Sequence, residues 1–172
     1  MALALPPSFV VDCSVIAGAF LADEQSPLAA AVRERCAELT LVAPRLLRLE
    51  FLNVALMAHR RGRLDDAQFA TLLAQGAKFP VHYDDGDTSL VDFGRGALRL
   101  SLTSYDYAYL DCAKRRGLPL ATLDRSMLRS CAQAVRSTNS PSGLIKPVSS
   151  ASGMKSFGGT MPRVAWFQRT SA

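Results

Sequence analysis

LTSYDYAYLDCAKRRGLPLATLDRSML, residues 102–128, decides the fold. Ser104 is a suitable N-cap for a helix that closes on Lys114, Arg115, Arg116 and Gly117. LPLATLD then reads as a short buried strand ending at Asp124, and RSMLRSCAQAV opens another helix. A helix, a strand and a helix with tight junctions are the repeating unit of a parallel sheet.

The same alternation runs back to the N-terminus. SFVVDCSVI is a strand entering a turn at Asp12–Ser14. Ser26 and Pro27 start a helix reaching about Leu39. LTLVAP is a second strand, and RLLRLEFLNVALMAHRRG a strong helix stopped by Gly62. Leu64 to Ala77 is helical, FPVHY is a strand, and a helix spans about Thr88 to Leu100. The pattern predicts an α/β fold, a three-layer sandwich with a mainly parallel central sheet.

The 172 residues divide by composition. Residues 1–135 form the expected globular domain, with all 15 acids at or before Asp124 and 15 Lys and Arg to match. Residues 136–172 are rich in Ser, Gly and Pro and hold five basic residues and no acid. This stretch is expected to be a mostly poorly ordered basic tail. The pI near 9.3 describes that tail, so it argues little for nucleic-acid binding by the body. The N-terminus lacks a secretory pattern and no apolar run is long enough to span a membrane, so a cytoplasmic protein is expected. The four cysteines lack metal-ligand spacing and read as reduced, buried small residues.

Four carboxylates stand out. Asp12 and Asp124 end apolar strands, where open parallel sheets form their sites. Asp106 lies in the first turn of a helix, whose positive end favours an acid. Glu50 shares a helix face with Leu46, Val54 and Met57, with Asn53 as its polar companion. Taken singly, each has a plain structural role open to it: a turn residue, a helix cap, a dipole partner. Converging acids repel and raise one another's pKa, and a hard cation such as Mg²⁺ or Mn²⁺ relieves that repulsion.

Three segments carry a family resemblance across about residues 8–135. VVDCSVI with Asp12 and Ser14, LRLEFLNVAL with Glu50 and Asn53, and the 102–128 stretch with Asp106, Thr122 and Asp124 resemble a PIN-domain ribonuclease of the VapC toxin class. The resemblance implies Mg²⁺- or Mn²⁺-dependent hydrolysis of RNA phosphodiester bonds. It places Asp12, Asp106 and Asp124 on metal and Glu50 on metal or water. Ser14, Asn53 and Thr122 are the expected supporting hydrogen-bond partners. It also implies a cognate antitoxin and a homodimer. A family strand usually follows the last helix, and AVRSTNSPSGLIKPV does not read as one.

Weaker features have ordinary readings. Arg60, Arg61, Lys114 and Arg115 are basic helix ends that suit RNA phosphate or the helix dipole equally. Asp111 is expected on a solvated face, and Asp84, Asp85 and Asp87 in a solvated turn. His59 and His82 show no partner in the sequence. Tyr105, Tyr107 and Tyr109 are candidates for a ring at the site rim, and some of them must be core. The rival function is a catalytically impaired PIN-fold binding module in a protein assembly, which the presence of all four acids disfavours. Aspartyl-phosphate chemistry at Asp12 lacks its usual companion acid two residues on, where Ser14 stands.

Overall fold

A computed structural model describes residues 3, 5–129, 145–148 and 165–169. A six-stranded sheet is its spine, built from β1 (Ser8–Val11), β2 (Thr40–Pro44), β3 (Val81–Asp84), β4 (Leu120–Thr122), β5 (Ile145–Val148) and β6 (Ala165–Arg169). The spatial order is β3-β2-β1-β4-β6-β5. The first four strands are parallel, and β6 joins β4 in antiparallel fashion. Helices α1 (Cys13–Phe20), α2 (Pro27–Glu34), α3 (Leu46–Arg60), α4 (Asp66–Lys78), α5 (Leu90–Leu100) and α6 (Ser104–Arg116) lie on both sides, and residues 125–129 are also helical. This is the three-layer α/β arrangement the alternation predicts.

The strands are short apolar runs because helices cover both faces, so no alternation with polar residues is needed. Phe9, Val10, Val11, Leu41 and Leu120 are fully buried. Register sets the site. Val10 pairs with Val42 and Val42 with His82, while Val11 pairs with Ala121. One residue on, Asp12 is level with Thr122, and Pro44 pairs with Asp84. The carboxyl ends of β1, β4 and β3 therefore carry Asp12, Thr122 and Asp84.

Several local expectations are corrected. The single helix expected from Pro27 to Leu39 breaks at Arg35, and Cys36–Glu38 forms a separate 3₁₀ turn. Thr103, not Ser104, caps α6, its hydroxyl accepting the Asp106 N–H at 3.1 Å. Asp84 is not in a solvated turn. Its side chain is 3% exposed and meets Arg115 (2.5 Å) and Arg116 (2.6 Å). Asp111 is buried too, accepting from Thr88 Oγ1 at 2.9 Å and Arg115 Nε at 2.8 Å. His59 finds partners in the Leu64 carbonyl and Asp66. IKPV, which does not read as a strand, is β5. AWFQR, also within the expected tail, is β6, and the other tail residues lie outside the described ones.

Tight junctions carry the chain between layers. Gly117 ends α6 at φ 64°, and the Leu118 N–H reaches back to the Ala113 carbonyl at 3.0 Å. A side chain is strained in that backbone state. The α4 start is a capping box of Asp65 and Gln68. Gly76 of α4 lies against the Phe51 ring of α3, where a Cβ would overlap the ring. Phe51 in turn packs edge-on against Phe20 at 5.8 Å.

Two stability tests follow from this packing. Gly76→Ala is expected to cost about 1–3 kcal/mol, since the buried ring must move, as read by urea unfolding. Asp84→Asn is expected to cost about 2–3 kcal/mol at pH 7, below the roughly 3–5 kcal/mol of a fully enclosed pair because both guanidiniums reach water. Burial raises the Asp84 pKa, but Arg115 and Arg116 outweigh it and hold the carboxyl below its ordinary 3.8. Its contribution is thus complete above pH 3.8 and lost as pH falls through the lower folded value. The gap between the two proteins is expected to narrow only below that pH.

Candidate active site

Asp12 follows directly on β1 and caps α1 by backbone alone, with no side-chain cap bond. Its carboxylate turns toward β4 instead. Oδ2 accepts from Ser14 Oγ at 2.6 Å and Thr122 Oγ1 at 2.5 Å. Each hydroxyl is itself oriented. Ser14 Oγ accepts the Leu123 N–H at 2.9 Å, and Thr122 Oγ1 accepts the Asp124 N–H at 3.0 Å. With its oxygen engaged by an N–H, each hydroxyl directs its one proton to Asp12. Burial pushes the Asp12 pKa up; the hydroxyls and the Cys13 N–H oppose it, and the charge of Asp124 adds to it.

Asp124 caps the helix at 125–129. Its Oδ1 accepts from Ser126 N (2.6 Å), Ser126 Oγ (2.5 Å) and Met127 N (3.0 Å). Burial raises its pKa, but these donors and Arg129 outweigh it and leave the carboxyl low. Asp106 sits at the N-terminal turn of α6, its Oδ2 accepting from Thr103 Oγ1 at 2.8 Å. Glu50 projects from α3 and accepts on Oε2 from the Tyr109 hydroxyl. Burial pushes Glu50 up, Tyr109 opposes this, and the charges of Asp12 and Asp106 push it further up.

Glu50, Asp106 and Asp124 share one feature. Every side-chain hydrogen bond to each falls on one oxygen, so the other has no protein donor among the described residues. Among the described residues, the charges that shift Asp12 and Glu50 are those of other acids. The acids are thus fixed in place and mutually repelling, the reverse of the charge-matched Asp84 cluster. Hard oxygen donors with one oxygen held and one open suit Mg²⁺ or Mn²⁺, which keep several waters and need only a few protein carboxylates. Among the described residues no three His, Cys, Asp or Glu side chains close into a ready-made metal cage. What fits an ion in the residues present is the oxygen left open on each of Glu50, Asp106 and Asp124.

The other sequence candidates fall in different places. Asn53 is exposed one turn beyond Glu50, and Tyr109 is the residue that bonds Glu50. Tyr109 was legible in principle, being three residues past Asp106 and therefore on the same helix face. Arg60 and Arg61 are exposed at the far end of α3, about 15 Å along the axis from Glu50 at 1.5 Å per residue. Arg115 is tied to Asp84 and Asp111, and Lys114 lies over the Tyr107 ring at 5.4 Å.

Residues 9–132 match the PIN domain family, and the chain belongs to it. PIN domains are generally nucleases that use divalent metals. The fold also resembles the crystal structure of PAE2754 from Pyrobaculum aerophilum, at 27% identity and a TM-score of 0.54. The match covers 75% of this chain and 88% of that one. No curated protein matches by sequence. No helix among the described residues is long and apolar enough to cross a membrane.

The burial of these acids, with their repulsion added to it, has a measurable consequence. The folded pKa of Asp12 lies above its ordinary 3.8 and that of Glu50 above 4.5, so the fold binds protons more tightly than the unfolded chain. Their destabilisation grows as pH rises from the ordinary values through the raised ones and is complete above them. In EDTA at pH 7, Asp12→Asn is expected to stabilise the protein by about 1 kcal/mol, or roughly 2–4 °C in Tm. The gain is expected to shrink at pH 4 and on adding Mg²⁺.

Proposed function

We propose that this chain is a metal-dependent endoribonuclease, the toxin of a VapC-type toxin–antitoxin pair. The observation that supports the nuclease half is the repulsion that links Asp12 and Asp124, at the ends of β1 and β4, with Glu50 of α3 and Asp106 of α6. Asp12, Asp106 and Asp124 would hold Mg²⁺ or Mn²⁺. Such an ion supplies a more acidic water and positive charge for the leaving oxygen. Ser14 and Thr122 orient Asp12, and their hydrogen bonds favour its ionised form against its burial. Glu50, raised by burial and fixed through one oxygen, orients the attacking water and accepts its proton. Water oxygen bonds to phosphorus as the bond to the leaving ribose oxygen breaks.

The toxin half rests on the segment resemblance. Leu90, Val91 and Leu98 on α5 are largely exposed and offer apolar surface to a protein partner, an antitoxin or a second copy. Arg60 and Arg61 stand clear of the acids, where a longer RNA would present phosphates. A cytoplasmic location follows from such a role. The impaired binding module is the weaker reading, because the four acids are held in place rather than merely retained.

The test is cleavage of a mixed small-RNA pool by the purified full chain. Cutting is expected with Mg²⁺ or Mn²⁺, and not with EDTA. It is expected to fall at least 100-fold in Asp12→Asn/Asp106→Asn, in keeping with the several kcal/mol a metal site contributes. Metal-independent cutting, or cutting that survives the double substitution, would sink the proposal.

A further inference from the structure

The three tyrosines of α6 have separate environments. Tyr105 is 60% exposed. Tyr107 is buried edge-on against Phe93, with its hydroxyl against Gly96 of α5. Tyr109 is 1% exposed, and its hydroxyl donates to Glu50 on another helix. A buried phenol needs a partner for its O–H, and this one has taken a carboxylate of the acid cluster.

The bond links two acids through one rigid element. Asp106 and Tyr109 lie three residues apart on α6, one face of one helix. Glu50 comes from α3, and its side chain has several rotatable bonds with no other donor among the described residues. Without Tyr109, repulsion from Asp12 and Asp106 would favour rotamers that carry the Glu50 carboxylate away from them. With it, Oε2 is pinned to α6 and Oε1 is left for a ligand or water. Tyr109 makes no bond to the other three acids, so its hydroxyl acts only through Glu50.

We propose that Tyr109 is a positioning residue of the active site, its hydroxyl holding the Glu50 carboxylate against the other acids so that one oxygen stays directed at the metal and water. This rests on the nuclease reading above and extends it to a residue outside the acid set. At 1% exposure and with its hydroxyl on Glu50, Tyr109 acts through that carboxylate rather than on substrate or ion. It does for Glu50 what Ser14 and Thr122 do for Asp12.

Tyr109→Phe removes one oxygen and keeps the ring, so the core stays filled. Tyr107→Phe is the control, since that hydroxyl faces Gly96. On the full chain, Mn²⁺ affinity is read by calorimetry without RNA, and kcat and KM with RNA. Tyr109→Phe is expected to lower kcat or Mn²⁺ affinity 10–100-fold, the usual cost of losing such a supporting bond, with KM for RNA and the thermal midpoint near wild type. Tyr107→Phe is expected to match wild type. A Tyr109→Phe protein that is less stable yet has unchanged Mn²⁺ affinity and kcat overturns the proposal and leaves the nuclease reading standing. A wild-type protein that neither binds Mn²⁺ nor cuts RNA overturns both.

Discussion

The structure depends on one buried carboxylate. Asp12 is 6% exposed at the end of the central strand β1, bonded to hydroxyls from α1 and β4. Burying an unpaired charge is costly, and here two charge-dipole hydrogen bonds offset only part of that cost. The hydroxyls are aimed by N–H groups of residues 123 and 124, just past β4. The β1–β4 register, the turn into the last helix and the orientation of Asp12 are therefore one construction. Shifting any part by a residue would place an apolar side chain where Thr122 stands.

Helix α6 joins this centre to a second charged cluster. Its first half carries Asp106 and Tyr109; its last half carries Asp111, Arg115 and Arg116. The last half docks on Asp84 at the end of β3, two acids matched by two guanidiniums. The two ends of one helix thus meet opposite electrostatic conditions. The matched end anchors the helix to the sheet and loses little by being closed. The unmatched end stays open and short of positive charge, a condition that favours a cation. An anchored helix is also what a precise site requires, since a loose α6 would let Asp106 and Tyr109 drift together.

Much of this was legible in the sequence because the parallel sheet leaves strong marks: short apolar strands, each followed by a helix with a polar start. Asp12 and Asp124 stand at strand ends, Asp106 in the first turn of a helix and Glu50 on an apolar helix face, positions visible from pattern alone. What was missed depends on tertiary contact. Asp84 and Asp111 look solvated beside their polar neighbours, and only the docking of α6 on β3 buries them. Asn53 was the obvious companion for Glu50 by helical spacing, but the partner came from another helix. Thr103 displaced Ser104 as the cap because boundaries shift by a residue when two capping side chains are adjacent. Pro147 hid β5, since proline is tolerated in a strand only at an edge, and the sequence did not reveal that this strand is one.

The most direct measurement of the central claim is an anomalous difference map from crystals grown with Mn²⁺. The account expects a peak among Asp12, Asp106 and Asp124, with the Asp84 cluster empty because its arginines already neutralise it. A well-ordered site with no peak there at millimolar Mn²⁺, or Mn²⁺ bound at Asp84 instead, would contradict it.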